Sequence, residues 1–327
     1  MDAYRKFALF LKGLIYETKN GFAIASRSFD NNDVDVDVTG QVFMISGANS
    51  GIGYSTARSI ALKGGEVHMI CRNPERAQKA KDSIVNETKN SKIHIHIVDL
   101  SRVNDVLKFA DDFTKNHTRL DVLINNAGEM IQEFRLSEVE NFEMNFATNV
   151  VGPAALTFGL IPLLKASNNN PRVVIVTSAG MLLQKLNKNY FDKVEKDFDG
   201  LLAYAQCKRQ MTVLGDCWAA EHPEIHFSSM HPGWVDTPAA RRGLGDFIVK
   251  MEDKFRNSDE GADTVTWLAL SPVALTYPSG SYFQDRCVVT KHLFLANTKE
   301  TKQERTDFYQ FMTQTVASCK IDETTKV

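Results

Sequence analysis

Short apolar runs that alternate with helix-length segments constrain this chain more than any other feature of its sequence. The runs fall at residues 41–46, 66–71, 93–97, 120–124, 172–176 and 225–230. The fifth, Val173-Val174-Ile175-Val176, is β-branched with no polar alternation, the pattern of a strand buried on both faces. In the third, Ile93, Ile95 and Ile97 alternate with His94 and His96. Helical character fills 55–63, closed by Gly64-Gly65, then continues through about 86, near 101–116, and in a long region to about 165. Strands joined this way imply right-handed crossovers and a parallel sheet covered on both sides. The expected architecture is a single α/β domain, doubly wound and mostly parallel, over residues 40–297. A helical extension precedes it at 1–39, and 298–327 is expected to be an exposed helix with a disordered end.

At 327 residues the chain can bury a full core, and its net charge of −2 argues against a nucleic-acid-binding face. Cys71, Cys207, Cys217, Cys287 and Cys319 are odd in number and scattered, which reads as reduced thiols facing the cytosol. Near the N-terminus, Phe7 to Ile15 is apolar but interrupted by Lys12 and flanked by Arg5, Lys6 and Lys19. It is too short to span a bilayer and has no small-residue cleavage site after its apolar run. Two readings stay open: a helix packed on its own domain, or residues 1–30 lying on a membrane or lipid droplet. The expected location is cytoplasmic, with membrane association on the cytosolic side as the second reading.

Ser46-Gly47-Ala48-Asn49-Ser50-Gly51-Ile52-Gly53 joins the first run to the first helix. A glycine-rich strand-to-helix turn lets a pyrophosphate approach the backbone at a positive helix N-terminus. The spacing is Gly-x3-Gly-x-Gly rather than GxGxxG. At the end of the second run an acid would mark NAD, whereas this chain has Cys71-Arg72-Asn73. The Arg72 fork suits a 2′-phosphate, so NADP(H) is expected over NAD(H). Further on, Tyr204 and Lys208 are four residues apart and share a face if the stretch is helical. A phenol beside an ammonium can exchange a proton, and the positive charge is expected to pull the phenol pKa toward neutrality.

These residues resemble the short-chain dehydrogenases/reductases, a Rossmann-fold family, over roughly residues 40–290. The matching features run in order: Gly47, Gly51 and Gly53; Asp99-Leu100; Asn125-Asn126-Ala127-Gly128; Asn149 before Val150-Val151-Gly152; Ser178; Tyr204-x3-Lys208; and His231-Pro232-Gly233 with Thr237. Cys71-Arg72 and the 26-residue gap from Ser178 to Tyr204 are similar to the retinol-dehydrogenase-like branch. Tyr4-Arg5, Lys12-Gly13-Leu14, residues 180–187, residues 227–234 and Tyr282-Phe283-Gln284-Asp285-Arg286 resemble one subfamily within it. Ser46 stands where the family usually has threonine and keeps the hydroxyl. The resemblance implies a catalytic set of Asn149, Ser178, Tyr204 and Lys208. Tyr204 would be the general acid in reduction or the base in oxidation, and Lys208 would lower its pKa and bind the nicotinamide ribose. Ser178 would donate to the substrate oxygen, and Asn149 would hold a water leading from Lys208 to solvent. Cofactor contacts are implied at Ser46, Gly47, Asn49, Ser50, Gly51, Ile52, Gly53, Arg72, Asn73, Asp99, Leu100, Asn125, Ala127, Gly128, Tyr204, Lys208, Pro232, Gly233, Val235 and Thr237. Asp99 would face the adenine amino group and Thr237 the carboxamide end. Family members often pair through the helices bearing Asn149 and Tyr204, so a homodimer is implied unless the N-terminal extension blocks that surface and leaves a monomer.

The reaction so implied interconverts a carbonyl and an alcohol on a small molecule. Residues 238–257 are expected to form a substrate lid, where Phe247, Ile248, Val249, Met251 and Phe255 either face an apolar, lipid-, retinoid- or steroid-like substrate or pack the lid on the core. His94 and His96 share a strand face, but no third ligand is evident and no metal is expected. Cys207 has no resolving partner and reads as packing. The alternative to an enzyme is a catalytically idle NADP-binding regulator or scaffold. The intact set of four residues weighs against it.

Overall fold

A computed structural model describes residues 2–192 and 198–320. Eight strands form one sheet in the order β3-β2-β1-β4-β5-β6-β7-β8. They are β1 Val42–Ser46, β2 Glu66–Cys71, β3 Ile93–Ile97, β4 Val122–Asn125, β5 Arg172–Val176, β6 His226–Met230, β7 Ser281–Gln284 and β8 Cys287–Val288. All pairings are parallel except β7 with β8. This is the Rossmann arrangement the sequence implied. The strand order reverses between β1 and β4, so the carboxyl ends of those two strands open a crevice.

Each central strand buries alternate side chains in opposite layers. Phe43 and Ile45 meet Ile60, Ala77, Ile84 and Val265 on one face. Met44 and Leu123 meet Val106, Phe113, Leu160 and Leu214 on the other. The helix Val103–Asn116 shows why it packs there: Val103, Val106, Ala110 and Phe113 recur at helical spacing and are all buried. Met144–Lys165 is long and apolar enough to cross a membrane, but 83% of its apolar window is buried inside the protein, which makes it a core helix.

Three features differ from the sequence reading. The helix expected at 55–63 starts at Gly51, because Gly51 and Gly53 serve as its first turn. The strands β7 and β8, not foreseen, form a hairpin whose two turn residues, Asp285 and Arg286, both have positive φ (51° and 58°). The helix Lys302–Ser318 is not an exposed appendage. Phe308, Met312 and Val316, spaced four apart, are buried in the same core layer as Trp218 and Leu164.

The N-terminal segment is fastened to the domain by buried polar contacts. The Arg256 guanidinium makes a bidentate pair with Asp285, Nη1 to Oδ1 at 2.6 Å and Nη2 to Oδ2 at 2.9 Å. Its remaining N–H groups reach the Tyr16, Thr18 and Pro232 carbonyls at 2.7, 3.3 and 3.1 Å. Arg286 pairs with Asp263, donates to the Asp30 carbonyl and lies over the Phe29 ring. Trp267 Nε1 donates to Asp33 at 2.8 Å. The two left-handed turn residues are thus held by the charges that also hold residues 16–33.

Candidate active site

The glycine turn is shaped by what crowds it. Gly47 and Gly51 have φ of +69° and +56°, which other residues adopt only with strain. A Cβ on Gly53 would lie 2.4 Å from the Gly47 carbonyl oxygen, and one on Gly51 would lie 3.1 Å from Thr237 Cγ2. Only hydrogen fits between this turn and its neighbours. Ser50 is the N-cap of Gly51–Leu62, but its side chain makes no capping bond, so the first-turn N–H groups stay available to an anion. Ser46 is turned the other way. Its Oγ accepts from Asn126 and Ala127 N–H at 3.1 and 3.0 Å, clamping the turn to the end of β4 rather than facing the crevice.

Arg72 stands at the end of β2, 59% exposed, with Nη2 3.0 Å from Glu129 Oε1 and Nε 4.0 Å from Asp99 Oδ2. Arg242 lies 3.5 Å from the same Glu129 oxygen. The sequence reading missed Glu129 and Arg242. Glu129 directly follows the quoted Asn125–Gly128 stretch and could have been found there. Asn73 is occupied as the N-cap of Pro74–Thr88, accepting from Arg76 N–H at 2.9 Å. Asp99 Oδ1 accepts from Ser101 N–H and Oγ, leaving Oδ2 toward Arg72. Leu100 is buried, its carbonyl against Gly152, where a Cβ would approach to 2.1 Å. Asn125 donates to Thr157 at 2.9 Å, while its buried Oδ1 has no partner among the described residues. Val235 is buried and packs against Gly261, next to Ile52. Pro232 and Gly233 are held by Arg256.

The four catalytic candidates converge from three elements. Asp199 caps Gly200–Glu221, accepting from Leu202 N–H at 3.0 Å, and this helix sets Tyr204 one turn before Lys208. Lys208 is buried, and its Nζ donates to the Val176 carbonyl at 3.1 Å, two residues before Ser178 at the end of β5. Ser178 Oγ accepts from Gly180 N–H at 3.4 Å. A Cβ on Gly180 would touch both Ser178 Oγ and Ala205, at 3.9 and 3.4 Å, which keeps that loop beside the Tyr204 helix. Asn149 lies in a π turn, Ala147–Val151, where its Nδ2 donates to the Asn145 carbonyl four residues earlier. The same amide accepts from Glu129 N–H at 2.9 Å and donates to the Glu129 carbonyl at 2.8 Å. Gly128 is the meeting point: a Cβ there would sit 3.0 Å from both Asn149 Oδ1 and Lys208 Nζ.

The electrostatics differ from the expected mutual tuning. Lys208 Nζ is 5.3 Å from the centre of the Tyr204 ring. Burial pushes the Tyr204 phenol above its ordinary range, with the neighbouring Cys207 thiol adding to the rise. Burial also pushes Lys208 down, to about 8. Desolvation therefore outweighs the pull of the ammonium on the phenol. Cys207 is wholly buried with its thiol held well above the usual value by burial, consistent with packing rather than redox chemistry.

Behind the site, His231 Nδ1 accepts from Ala179 N–H at 3.2 Å, which leaves Nε2 to carry the proton toward Glu17, 3.1 Å away. Contact with His231, Lys12 and Arg256 holds the Glu17 carboxyl below its ordinary value despite its burial. Within residues 238–257, Phe247 and Phe255 pack on Trp234, with ring centres 5.5 and 6.1 Å away, and Ile248 is buried. Gln132 donates to the Gly243 carbonyl at 2.6 Å, tying this segment to the loop after β4. These contacts follow the packing alternative; Val249 remains exposed.

Residues 41–244 match the short chain dehydrogenase family. The chain is a short-chain dehydrogenase/reductase. It is 48% identical over 304 residues to dehydrogenase/reductase SDR family member 12 of Bos taurus, covering 93% of this chain and 95% of that one. It is 32% identical over 257 residues to retinol dehydrogenase 12 of Bos taurus, covering 77% and 79%. A solved short-chain dehydrogenase of Shigella flexneri, complexed with NADP, superposes with a TM-score of 0.61 over 77% of this chain and 99% of that one. At 20% identity it shows the common fold. Membership in the short-chain dehydrogenases/reductases makes this protein a nicotinamide-dependent alcohol/carbonyl oxidoreductase acting on small molecules.

Proposed function

We propose that this protein uses NADP(H) to interconvert a carbonyl and an alcohol on a small apolar substrate, with Tyr204 as the proton donor or acceptor. The observation that carries this reading is that Lys208 and Asn149 meet over Gly128, while Lys208 also reaches the Val176 carbonyl two residues before Ser178 and follows Tyr204 by one helical turn. The residues fit a dinucleotide: a glycine cradle, a helix N-terminus without a side-chain cap, and a buried Asn125 oxygen without a partner. When bound, the nicotinamide supplies the hydride. Ser178 orients the substrate oxygen, Tyr204 gives or takes its proton, and Lys208 with Asn149 carries that proton onward. The apolar substrate class rests on the name of the retinol dehydrogenase relative. NADPH oxidation over a panel of apolar aldehydes and ketones, retinoid and steroid carbonyls included, is expected to give turnover. Tight NADPH binding with no turnover across the panel would instead indicate the idle regulator.

Preference for NADP(H) rests on Arg72, backed by Arg242, at the end of β2. Both now share the Glu129 carboxylate, which a phosphate dianion would compete with for the same forks. Arg72→Asp adds a carboxylate where Glu129 and Asp99 already stand. The NADPH-to-NADH ratio of kcat/KM is expected to fall by about 10- to 100-fold, the worth of a charged hydrogen bond. An unchanged ratio would remove the assignment.

The exposed face of the first helix, Asp2–Lys12, supports peripheral membrane contact on the cytosolic side. Tyr4, Phe7 and Leu11 are 68%, 59% and 41% exposed and recur at helical spacing. Ile15 and Tyr16 continue the exposed apolar surface, among Arg5, Lys6, Lys12 and Lys19. The opposite side is occupied, with Leu9 against Met181 and Leu182 and Phe10 stacked on Trp234. Flotation with anionic vesicles is expected to carry the protein upward and to leave the Phe7→Glu/Leu11→Glu variant behind. Equal flotation of the two would end this reading.

A further inference from the structure

The molecule holds a second cluster of chemistry-bearing side chains, well away from the crevice. Glu66 and His68 lie two residues apart at the start of β2, and His94 and His96 lie two apart on β3, so all four project from one face of the sheet. In the parallel register His94 stands opposite His68. His94 Nε2 is 2.9 Å and His68 Nε2 is 3.5 Å from the same Glu66 oxygen, Oε1. The potential ligand atoms of Glu66, His68 and His94 all lie within 4.8 Å of one another. His96, paired in the sequence with His94, does a different job: its Nε2 lies 2.9 Å from His68 Nδ1.

His68 is 2% exposed, and its Nε2 has no hydrogen-bond partner among the described residues although it points at a carboxylate. A buried ring nitrogen without a partner costs free energy unless something fills the gap. The direction of the hydrogen bond to His96 sets the state of that nitrogen: with His96 as donor an Nε2–H faces Glu66, and with His68 as donor Nε2 is free to ligate. With Nδ1–H donated to His96 Nε2, the His68 Nε2 lone pair faces Glu66 and His94. This is the arrangement by which a neighbouring acceptor fixes the tautomer of a metal-binding histidine. Phe113 and Phe109 wall the cluster, and His117 stacks on Phe113. His94 is 45% exposed and leaves the site open to solvent on one side.

We infer that Glu66, His68 and His94 form a binding site for a zinc-class divalent cation, with His96 as the residue that orients His68. Two imidazoles and one carboxylate suit zinc, and a fourth position is free for water on the open side. Tetrahedral ligands about 2.0–2.1 Å from zinc stand roughly 3.3 Å apart, close to the 2.9 and 3.5 Å separations from Glu66, and the His68 and His94 donor atoms, within 4.8 Å of each other, would draw together. On binding, the His94 proton that faces Glu66 moves to Nδ1, and Nε2 becomes the donor atom. Because β3 is the edge strand of the sheet, the ion would staple that edge to β2. The site stands four to six residues down β2 from Arg72, roughly 13–20 Å from it, so it is separate from the dinucleotide crevice.

Titrating the metal-stripped full-length protein with Zn²⁺ against a chelating indicator tests this. One zinc per chain is expected, with a higher melting temperature. Glu66→Gln and His94→Gln, both at partly exposed positions, are each expected to weaken zinc binding at least about tenfold while NADPH binding is unchanged. His96→Gln, acting only through His68, is expected to weaken it by a smaller factor. Wild-type protein that binds no zinc tighter than about 100 µM, or that binds it no better than Glu66→Gln and His94→Gln, overturns the site.

Discussion

Tyr204→Phe lowers the rate of carbonyl reduction by at least about 10²-fold, because the ring keeps its place on the helix while the transferable proton is gone. NADPH affinity, read by fluorescence titration, changes little, which separates lost chemistry from lost folding. Full turnover in the variant would refute the role. The buried lysine adds a pH signature. Its pKa lies at about 8, so the ammonium that backs the proton relay is present below that value and is lost above it. Reductive kcat/KM of the free enzyme is therefore expected to fall roughly tenfold per pH unit beyond about 8.

Arg256→Ala destabilises the protein by about 3–5 kcal/mol, measured as a shift in the urea midpoint, because it leaves Asp285 buried without its partner. Five N–H groups of Arg256 meet five acceptors, and no smaller cation reproduces that fork. Arg256→Lys is accordingly expected to recover only part of the loss. A cost below about 1 kcal/mol in the alanine variant would mean that water enters and solvates Asp285 as well as the guanidinium does. The same substitution frees the Tyr16 and Thr18 carbonyls. Limited proteolysis is thus expected to cut the N-terminal segment faster in the variant than in the wild type.

The parallel core was legible in the sequence because β5 is apolar from Val173 to Val176 and the runs before it are separated by helix-length stretches. The hairpin of β7 and β8 was not. Its turn, Asp285-Arg286, has left-handed backbone that the two residues do not favour on their own, and the charges that hold it come from Arg256 and Asp263, distant in sequence. The convergence around Gly128 was suggested by motif order, yet the sequence misjudged its electrostatics. Proximity of a lysine promises a lowered phenol pKa, whereas the depth of burial, which sequence does not report, decides the sign. His94 and His96 looked like a pair because they are neighbours in the chain. The register of β2 against β3 instead joins His94 to Glu66 and ties His96 to His68.

The packing of Lys302–Ser318 reaches beyond its own stability. Phe308, Met312 and Val316 cover a layer that includes Leu160, Leu164 and Trp218, on the two long helices through which relatives are expected to associate. In this chain that face is covered by its own last described helix. A chain ended near residue 300 would therefore gain a sticky apolar surface, and self-association seen in such a fragment would report the missing helix rather than the habit of the intact protein.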